Sequence, residues 1–271
     1  MESKAVNFKT FRGIDNAFLV IVACFIIAVC VYKFILGDPA NFVDGDPNNH
    51  PVNGNMLGTI YKGGVIVPVL QCLFLTVLVL SVERWFAIGM AKGKGSLTKF
   101  ARNIKALLAK NDIQGAEELC AKQKGSVASV VYATLQKYKE MESVDNIAKE
   151  QKLANIQKEI EEATALELPT LEQNLPILAT MTTLGTLVGL LGTVLGMIKS
   201  FAALANAGSP DSVALSAGIS EALVNTAFGI ATGAFAVIFY NFYTNKIDKI
   251  TYCIDEVGFT IVQTYAATHK Q

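Results

Sequence analysis

Three threonines and one serine repeat at helical spacing in an apolar segment, residues 174–205. With two glycines they form the series Thr182, Thr186, Gly189, Thr193, Gly196 and Ser200. Intervals of three and four residues place all six on one face of an α-helix. Such hydroxyl groups can order a chain of water, but threonine and glycine in apolar helices also serve as packing residues. Both interpretations are open from this segment alone.

A second apolar segment, residues 213–244, carries a stripe of small residues beside one carboxylate. The stripe consists of Gly218, Ala222, Thr226, Gly229 and Gly233. Glu221 and Asn225 lie one helical turn apart on its flank. A carboxylate inside a membrane helix is costly, so Glu221 is a functional-site candidate. The alternative is a structural hydrogen-bond partner, or a group close enough to the membrane surface to stay hydrated.

The same two segments limit how the chain could move protons. Glu221 is the sole acidic residue in the apolar cores, and no Asp or His accompanies it. A threonine hydroxyl does not take up a proton at physiological pH. If the chain conducts protons, we therefore expect several copies to surround a polar path and another subunit to supply the mobile protonatable group.

Composition excludes several classes of function. The chain has 271 residues, of which 52% are apolar and 17% charged. Its 23 Lys and Arg balance 23 Asp and Glu, which disfavours nucleic-acid binding. Two histidines, and five cysteines without CxxC spacing, predict neither a metal site nor histidine-based catalysis. Since a P-loop motif is also absent, nucleotide hydrolysis is not supported and no cofactor is expected.

The apolar residues concentrate in four segments that are each about long enough to span a membrane. These predicted spans are residues 17–36, 63–86, 174–205 and 213–244. The first could instead be a cleaved signal peptide, but it exceeds a typical signal core and no A-x-A cleavage site follows it. The third and fourth, rich in small residues, are expected to pack against other helices, and the first two to face lipid.

The distribution of Lys and Arg predicts the orientation of these spans. Residues 83–173 hold fourteen of the 23 basic residues, whereas the link before the second span holds only Lys62. The N-terminal segment adds Lys4, Lys9 and Arg12. Because positive segments stay in the cytoplasm, both termini are predicted to be inside. The predicted cytoplasmic segments are residues 1–16, 87–173 and 245–271, and the predicted outer links are residues 37–62 and 206–212.

The cytoplasmic insertion is predicted to be helical. Apolar residues at intervals of three and four indicate helices over residues 97–112, 114–125 and 127–168, the second ending at Gly125. The third would run unbroken toward the third span until Pro169 and Pro176. The predicted fold is an all-α membrane protein with four transmembrane helices, a large helical cytoplasmic insertion, and both termini inside.

Two motifs on the last two spans resemble the ExbB/TolQ/MotA proton-channel family, most closely ExbB. They are LGTLVGLLGTVLGMIKSF at residues 184–201 and AGISEALVNTAFGIATGAFAVIFYN at residues 217–241. SVERWFAI, residues 81–88, resembles the segment that leads from the family's first common helix into the cytoplasm. The resemblance covers roughly residues 63–265.

This resemblance implies a homo-oligomeric ring, typically a pentamer, in the bacterial inner membrane. The ring would surround a dimeric single-span partner of the ExbD/TolR kind, whose membrane Asp carries the proton. The family's channel-lining hydroxyls match Thr193 and Thr226, and its glutamate matches Glu221. Thr186 and Asn225, on the same stripe and flank, complete the predicted proton-path residues.

The implied function is an ExbB-like subunit of a motor that uses the proton motive force to energise TonB-dependent outer-membrane transport through a TonB-like protein. Alternatives are a TolQ-like, gliding or flagellar stator, or a membrane scaffold whose threonines only pack helices. A secondary transporter would need inverted repeats, and the first two spans do not resemble the last two.

Two features depart from the family pattern. The first span, residues 17–36, has no counterpart in three-span ExbB or TolQ. In addition, Phe235 stands where the family often has proline, so the kink and local packing of the fourth span are expected to differ.

Overall fold

The computed structural model describes residues 13–14, 16–144, 146–206 and 212–269, and these residues are predominantly helical. The helices are α1 (Ala17–Cys30, continued by a π-helical turn Val31–Leu36), α2 (Met56–Tyr61), α3 (Ile66–Ala91), α4 (Leu97–Leu108), α5 (Ile113–Gln123), α6 (Gly125–Ser143), α7 (Lys149–Glu172), α8 (Leu175–Asn206) and α9 (Ser212–Thr268). The described ranges contain no β-strand beyond an isolated bridge between Phe42 and Pro51. Lys4, Lys9, Arg12 and positions 207–211 of the predicted outer link lie outside the described residues.

Among the described residues, four helical segments are long and apolar enough to cross a membrane. They are Ala17–Leu36, Ile66–Ala91, Lys149–Ala202 and Leu215–Thr268. The prediction of an all-α membrane protein with four candidate spans is therefore confirmed. The chain divides into two compact units, which we call the span unit (residues 14–82 and 174–241) and the insertion unit (residues 13, 83–173 and 242–269).

Within the span unit, α3 is more buried than expected for a lipid-facing helix. Its residues Val67, Leu70 and Val77 are fully buried. The reason is that α3 has neighbours on two sides: Cys72 packs with Cys24 of α1, and Phe74 meets the ring of Phe235 on α9 at 5.6 Å between centroids. The expectation that residues 63–86 face lipid is therefore wrong for much of this helix, whereas α1 exposes most of its apolar side chains.

The link between the first two spans is ordered around one buried asparagine. The Nδ2 of Asn41 donates to the carbonyl oxygens of Ile35 and Leu36 at 2.8 and 3.0 Å. Its Oδ1 accepts from Asn55 at 2.9 Å, and the side chain of Asn55 in turn caps α2. These bonds tie the link to the end of the π-helical turn.

In the insertion unit, the first two helices, α4 and α5, lie close to where sequence periodicity predicts them. The buried residues of α4 are Phe100, Ala101, Ile104 and Leu108, at the predicted spacing. The chain leaves α5 through Lys124 and Gly125, both with positive φ, 58° and 80°. Helix α5 therefore ends at Gln123, two residues before the predicted Gly125, and Gly125 supplies the turn into α6 because glycine adopts positive φ readily.

The prediction of one continuous helix over residues 127–168 is wrong. Helix α6 ends at Ser143, α7 begins at Lys149, and the two pack against each other. Packing buries apolar residues of both helices, such as Val131 and Ile156, that one straight helix would leave exposed. The predicted break at Pro169 is also wrong, because Pro169 lies inside α7. The chain breaks instead at Asn174, whose φ is 64°, between the end of α7 at Glu172 and the start of α8 at Leu175.

Candidate functional site

Helices α8 and α9 meet through the two stripes of small residues. A Cβ atom placed on Gly189 would lie 2.9 Å from the Cα of Gly229, and one on Gly196 would lie 2.9 Å from the backbone nitrogen of Ala222. Neither site has room for a side chain, so the two backbones are in direct contact. This close approach brings polar side chains of the two helices within bonding distance.

The hydroxyl groups of Thr193 and Thr226 form a hydrogen bond across this contact. Each hydroxyl also lies near the carbonyl oxygen one turn earlier on its own helix, Gly189 for Thr193 at 3.2 Å and Ala222 for Thr226 at 3.1 Å. Both threonines are half-buried. The pair therefore combines a cross-helix bond with local bonds, and it keeps partial access to the surface of the chain.

Thr186 lies on the same stripe but apart from this pair. It precedes Thr193 by seven residues, which is about 10 Å along a helix axis. Its side chain is exposed and approaches the carbonyl oxygen of Thr182 at 3.4 Å. The stripe thus extends along α8 rather than converging on one point.

Glu221 is buried and forms an ion pair with Lys199 of α8. The Nζ of Lys199 lies 2.7 Å from an Oε1 of Glu221, and the two side chains are 57% and 11% exposed. Sequence reasoning missed Lys199. The available signal was that it is the only charged residue of the predicted third span, while Glu221 is the only charged residue of the fourth before its cytoplasmic end.

Asn225 is fully buried and holds the turn before α3. Its Nδ2 donates to the carbonyl oxygen of Gly63 at 2.9 Å. Within the described ranges its Oδ1 has no hydrogen-bond partner, and its side chain fills the space in front of Gly192. The predicted residues therefore form two neighbouring groups, the Thr193–Thr226 pair and the Glu221–Asn225 flank, with Thr186 farther along α8.

The polar side chains of this arrangement offer hydrogen-bond donors and acceptors. Across the described ranges, no three His, Cys, Asp or Glu side chains cluster closely enough to hold a metal ion. Paired hydroxyls can each donate and accept a hydrogen bond, so they can order water without changing charge.

Residues 122–256 match the sequence model of a family described as the MotA/TolQ/ExbB proton channel family. The matched segment contains both stripes and the Thr193–Thr226 pair. The chain belongs to this family. Members are proton-channel subunits rather than a class of enzymes, and the four apolar helices make this member a multi-pass membrane protein.

Named relatives include both ExbB and TolQ proteins. A putative biopolymer transport protein ExbB-like 3 of Synechocystis sp. is 32% identical over 41% of this chain and 54% of its own length. TolQ of Pseudomonas aeruginosa is 25% identical over 67% of this chain and 81% of its own length. ExbB of Pseudomonas putida is 26% identical over 69% of this chain and 56% of its own length. The chain spans about half the length of the Synechocystis and P. putida relatives.

Proposed function

We propose that this chain is an ExbB-like proton-channel subunit of a motor in the bacterial inner membrane, where the proton motive force energises TonB-dependent outer-membrane transport. The observation that carries the proposal is the Thr193–Thr226 hydroxyl pair, which sits in the α8–α9 contact on a segment matched by the family. The proposed step moves protons without converting a substrate, so no enzyme activity is proposed.

In the proposed mechanism, Thr186, Thr193 and Thr226 order water along the path, and Glu221 and Asn225 flank it. None of the threonines takes up a proton, so the carrier is an Asp of a single-span partner of the ExbD/TolR kind. Five copies of the chain surround that partner. The partner's movement is passed to a TonB-like protein, and lipid covers the outside of the ring.

The central test replaces one hydroxyl of the pair. Thr226→Val keeps the shape of the side chain and removes the hydroxyl, whereas Thr226→Ser keeps the hydroxyl. We expect Thr226→Val to abolish proton flux and energy-dependent activity with ring assembly intact, and Thr226→Ser to retain much of both. Thr183→Val is a matched control, because Thr183 is an exposed threonine of α8 off the stripe that bonds only its own helix at 3.1 Å.

A second variant separates the pair from the carboxylate. Glu221→Gln is expected to be milder than Thr226→Val, because glutamine still forms hydrogen bonds and the proton carrier belongs to the partner. An inactive Glu221→Gln together with a fully active Thr226→Val would make Glu221 the carrier. The hydroxyl stripe would then serve only packing, as in a membrane scaffold.

The proposed assembly is a homopentamer. Away from its contact with α9, α8 exposes the apolar side chains of Leu187, Val194 and Ile198. This apolar surface is available to neighbouring subunits or to lipid. Native mass spectrometry of gently solubilised protein should show five copies that can hold two partner chains. A stable monomer would contradict this assembly.

The proposed topology places both termini and residues 87–173 in the cytoplasm. In intact spheroplasts of a cysteine-free background, an impermeant thiol reagent should label a cysteine placed at Asn48 and spare one at Lys124. Labelling at Lys124 would overturn the orientation. The equivalent probe at Ser209 lies outside the described residues.

A TolQ-like role is the second candidate, because the alignment with TolQ of P. aeruginosa covers 81% of that protein. The two roles separate by complementation. Expression of the chain with its partner should restore growth on a TonB-dependent nutrient in a strain lacking ExbB. If the chain instead restores envelope integrity in a strain lacking TolQ and does not restore growth of the strain lacking ExbB, the TolQ-like role is favoured.

A further inference from the structure

We propose that Lys199 is a positioning residue of the proton path. It pairs with Glu221 as a fixed ion pair that holds the turn before α3 against the α8–α9 contact. The inference rests on the proposed function, and it assigns a role to a residue outside the predicted set.

Glu221 is much less exposed to solvent than Lys199, and this difference determines the role of each side chain in the ion pair. The Glu221 side chain is 11% exposed, so its charge has little water around it. An ionised carboxylate in that setting is costly unless it is paired. The Lys199 side chain is 57% exposed, and the flexible stem lets the ammonium reach water while it pairs with Glu221.

The turn that leads into α3 is held at two successive glycines. Gly64 has a φ of 77°, and its Cα faces the Glu221 carboxylate so closely that a Cβ there would collide with Oε1. The carbonyl oxygen of Gly63 accepts from Asn225 at 2.9 Å. Glu221 and Asn225, one turn apart on α9, therefore hold adjacent residues of the turn, and Lys199 fixes Glu221 from α8.

Among the described residues, Tyr32 at the end of the first span is a further titratable group that interacts electrostatically with Glu221. Its hydroxyl donates to the carbonyl oxygen of Tyr61 at 3.2 Å, and its ring stacks on that of Tyr61. The hydroxyl and the ring of Tyr32 therefore both interact with Tyr61, in the link between the first two spans. Among the described residues Lys199 is the cation paired with Glu221. We therefore assign to Glu221 the role of holding the turn, and the proton carrier remains the Asp of the partner.

The experiment measures proton flux in liposomes that contain the complex purified from native membranes through a tagged copy of this chain. The variants are Lys199→Met, Lys199→Arg, Glu221→Gln and the double variant Lys199→Met/Glu221→Gln. Lys33→Met is the matched control, since it removes a lysine from a span, and Lys33 forms no ion pair with any of the described residues.

Lys199→Met should lower flux about tenfold or more, because it leaves a buried carboxylate without its partner. Glu221→Gln should be milder, because the ammonium it leaves behind is exposed to water. Lys199→Arg should remain close to the wild type, and the double variant should recover most of the flux lost in Lys199→Met. Lys33→Met should have no effect on flux.

Two results would overturn the inference: wild-type flux in Lys199→Met, or a double variant no better than Lys199→Met. If Lys199→Met fails to assemble while the double variant assembles, the pairing is supported. A wild-type complex without any flux would reject the proposed function instead. The unfolding temperatures of the same variants would still test the pairing, because a coupled pair gives non-additive changes.

Discussion

The two parts of α9 use the same helical spacing to pack in opposite ways. In the span unit, residues 218–233 contact α8 through glycine and alanine, so the backbones touch. In the insertion unit, residues 242–268 bury large side chains at intervals of three and four, namely Tyr243, Ile247, Ile250, Ile254, Val257, Ile261 and Tyr265. Where a helix is surrounded by water, burial of large apolar side chains stabilises its packing. In lipid the hydrophobic effect does not drive two helices together, and close contact between small residues stabilises the packing instead.

The polar contacts of the two parts differ accordingly. In the insertion unit, the ion pair of Lys105 with Glu256 lies at the edge of the packing, with side chains 40% and 37% exposed. In the span unit, Asn225 and the Thr193–Thr226 pair lie within the helix contact itself. Small residues therefore do more than join α8 to α9, because they also let hydroxyl groups meet inside the contact.

The largest effect should come from adding volume where the backbones touch. Gly189→Leu would place a side chain into Gly229, and overpacking of this kind forces backbone shifts. We expect no assembled protein on native mass spectrometry or size-exclusion chromatography. Gly89→Leu is the control, because nothing lies within 4 Å of a Cβ at Gly89. A folded, assembled Gly189→Leu protein would show that close contact is not what joins the two helices.

A smaller effect is expected from removing volume in the other part of α9. Ile254 is 1% exposed, so Ile254→Ala should leave a cavity and lower the free energy of unfolding by about 2–5 kcal/mol. Denaturant unfolding of the full chain in detergent measures this, with the exposed neighbour change Asp255→Ala as control, expected within about 0.5 kcal/mol. An Ile254→Ala protein as stable as Asp255→Ala would remove the contrast between the two parts.

A third variant removes one buried hydrogen bond from the same part. The Tyr265 hydroxyl donates to the carbonyl oxygen of Met141 at 3.0 Å, so Tyr265→Phe should lower stability by about 0.5–1.5 kcal/mol. Burial raises the pKa of Tyr265, so the folded state resists its ionisation. The advantage of the wild type should therefore be complete below pH about 10, the usual tyrosine pKa, and shrink as pH rises further. A difference that stays constant through pH 11 would contradict the role of the hydroxyl.

Periodicity alone predicted the parts of the fold that local sequence determines. The buried face of α4 follows from spacing, and the end of α5 just before Gly125 follows from glycine conformation. The break between α6 and α7 did not follow, because the polar residues around it, such as Ser143 and Asn146, also fit the exposed face of a longer helix. Packing of α6 against α7 decides that break, and packing is not a local property.

The candidate site also has features that the sequence predicts and features that only the packing of the helices determines. Both small-residue stripes and the Thr193 and Thr226 positions were predicted from spacing and resemblance, and the structure brings those two hydroxyls together. The pairing of Lys199 with Glu221 depends on how α8 and α9 are rotated toward each other. The bond from Asn225 to Gly63 joins residues 162 positions apart, a distance over which spacing carries no information.

The smallest change in stability should come from the pair that matters most for the proposed function. Thr226→Val removes one hydroxyl, but Thr193 keeps the carbonyl oxygen of Gly189 as a local acceptor at 3.2 Å. Hydrogen bonds between membrane helices contribute about 0.6 kcal/mol on average, so the unfolding free energy should fall by about that amount. Measured beside Gly189→Leu and Ile254→Ala, this variant should be the most stable of the three and should conduct no protons. A loss above about 2 kcal/mol would exceed what one such bond contributes and would assign the hydroxyl pair to packing. A small loss of stability with complete loss of flux would separate the two roles of the α8–α9 contact, since glycines would join the helices and hydroxyls would form the path.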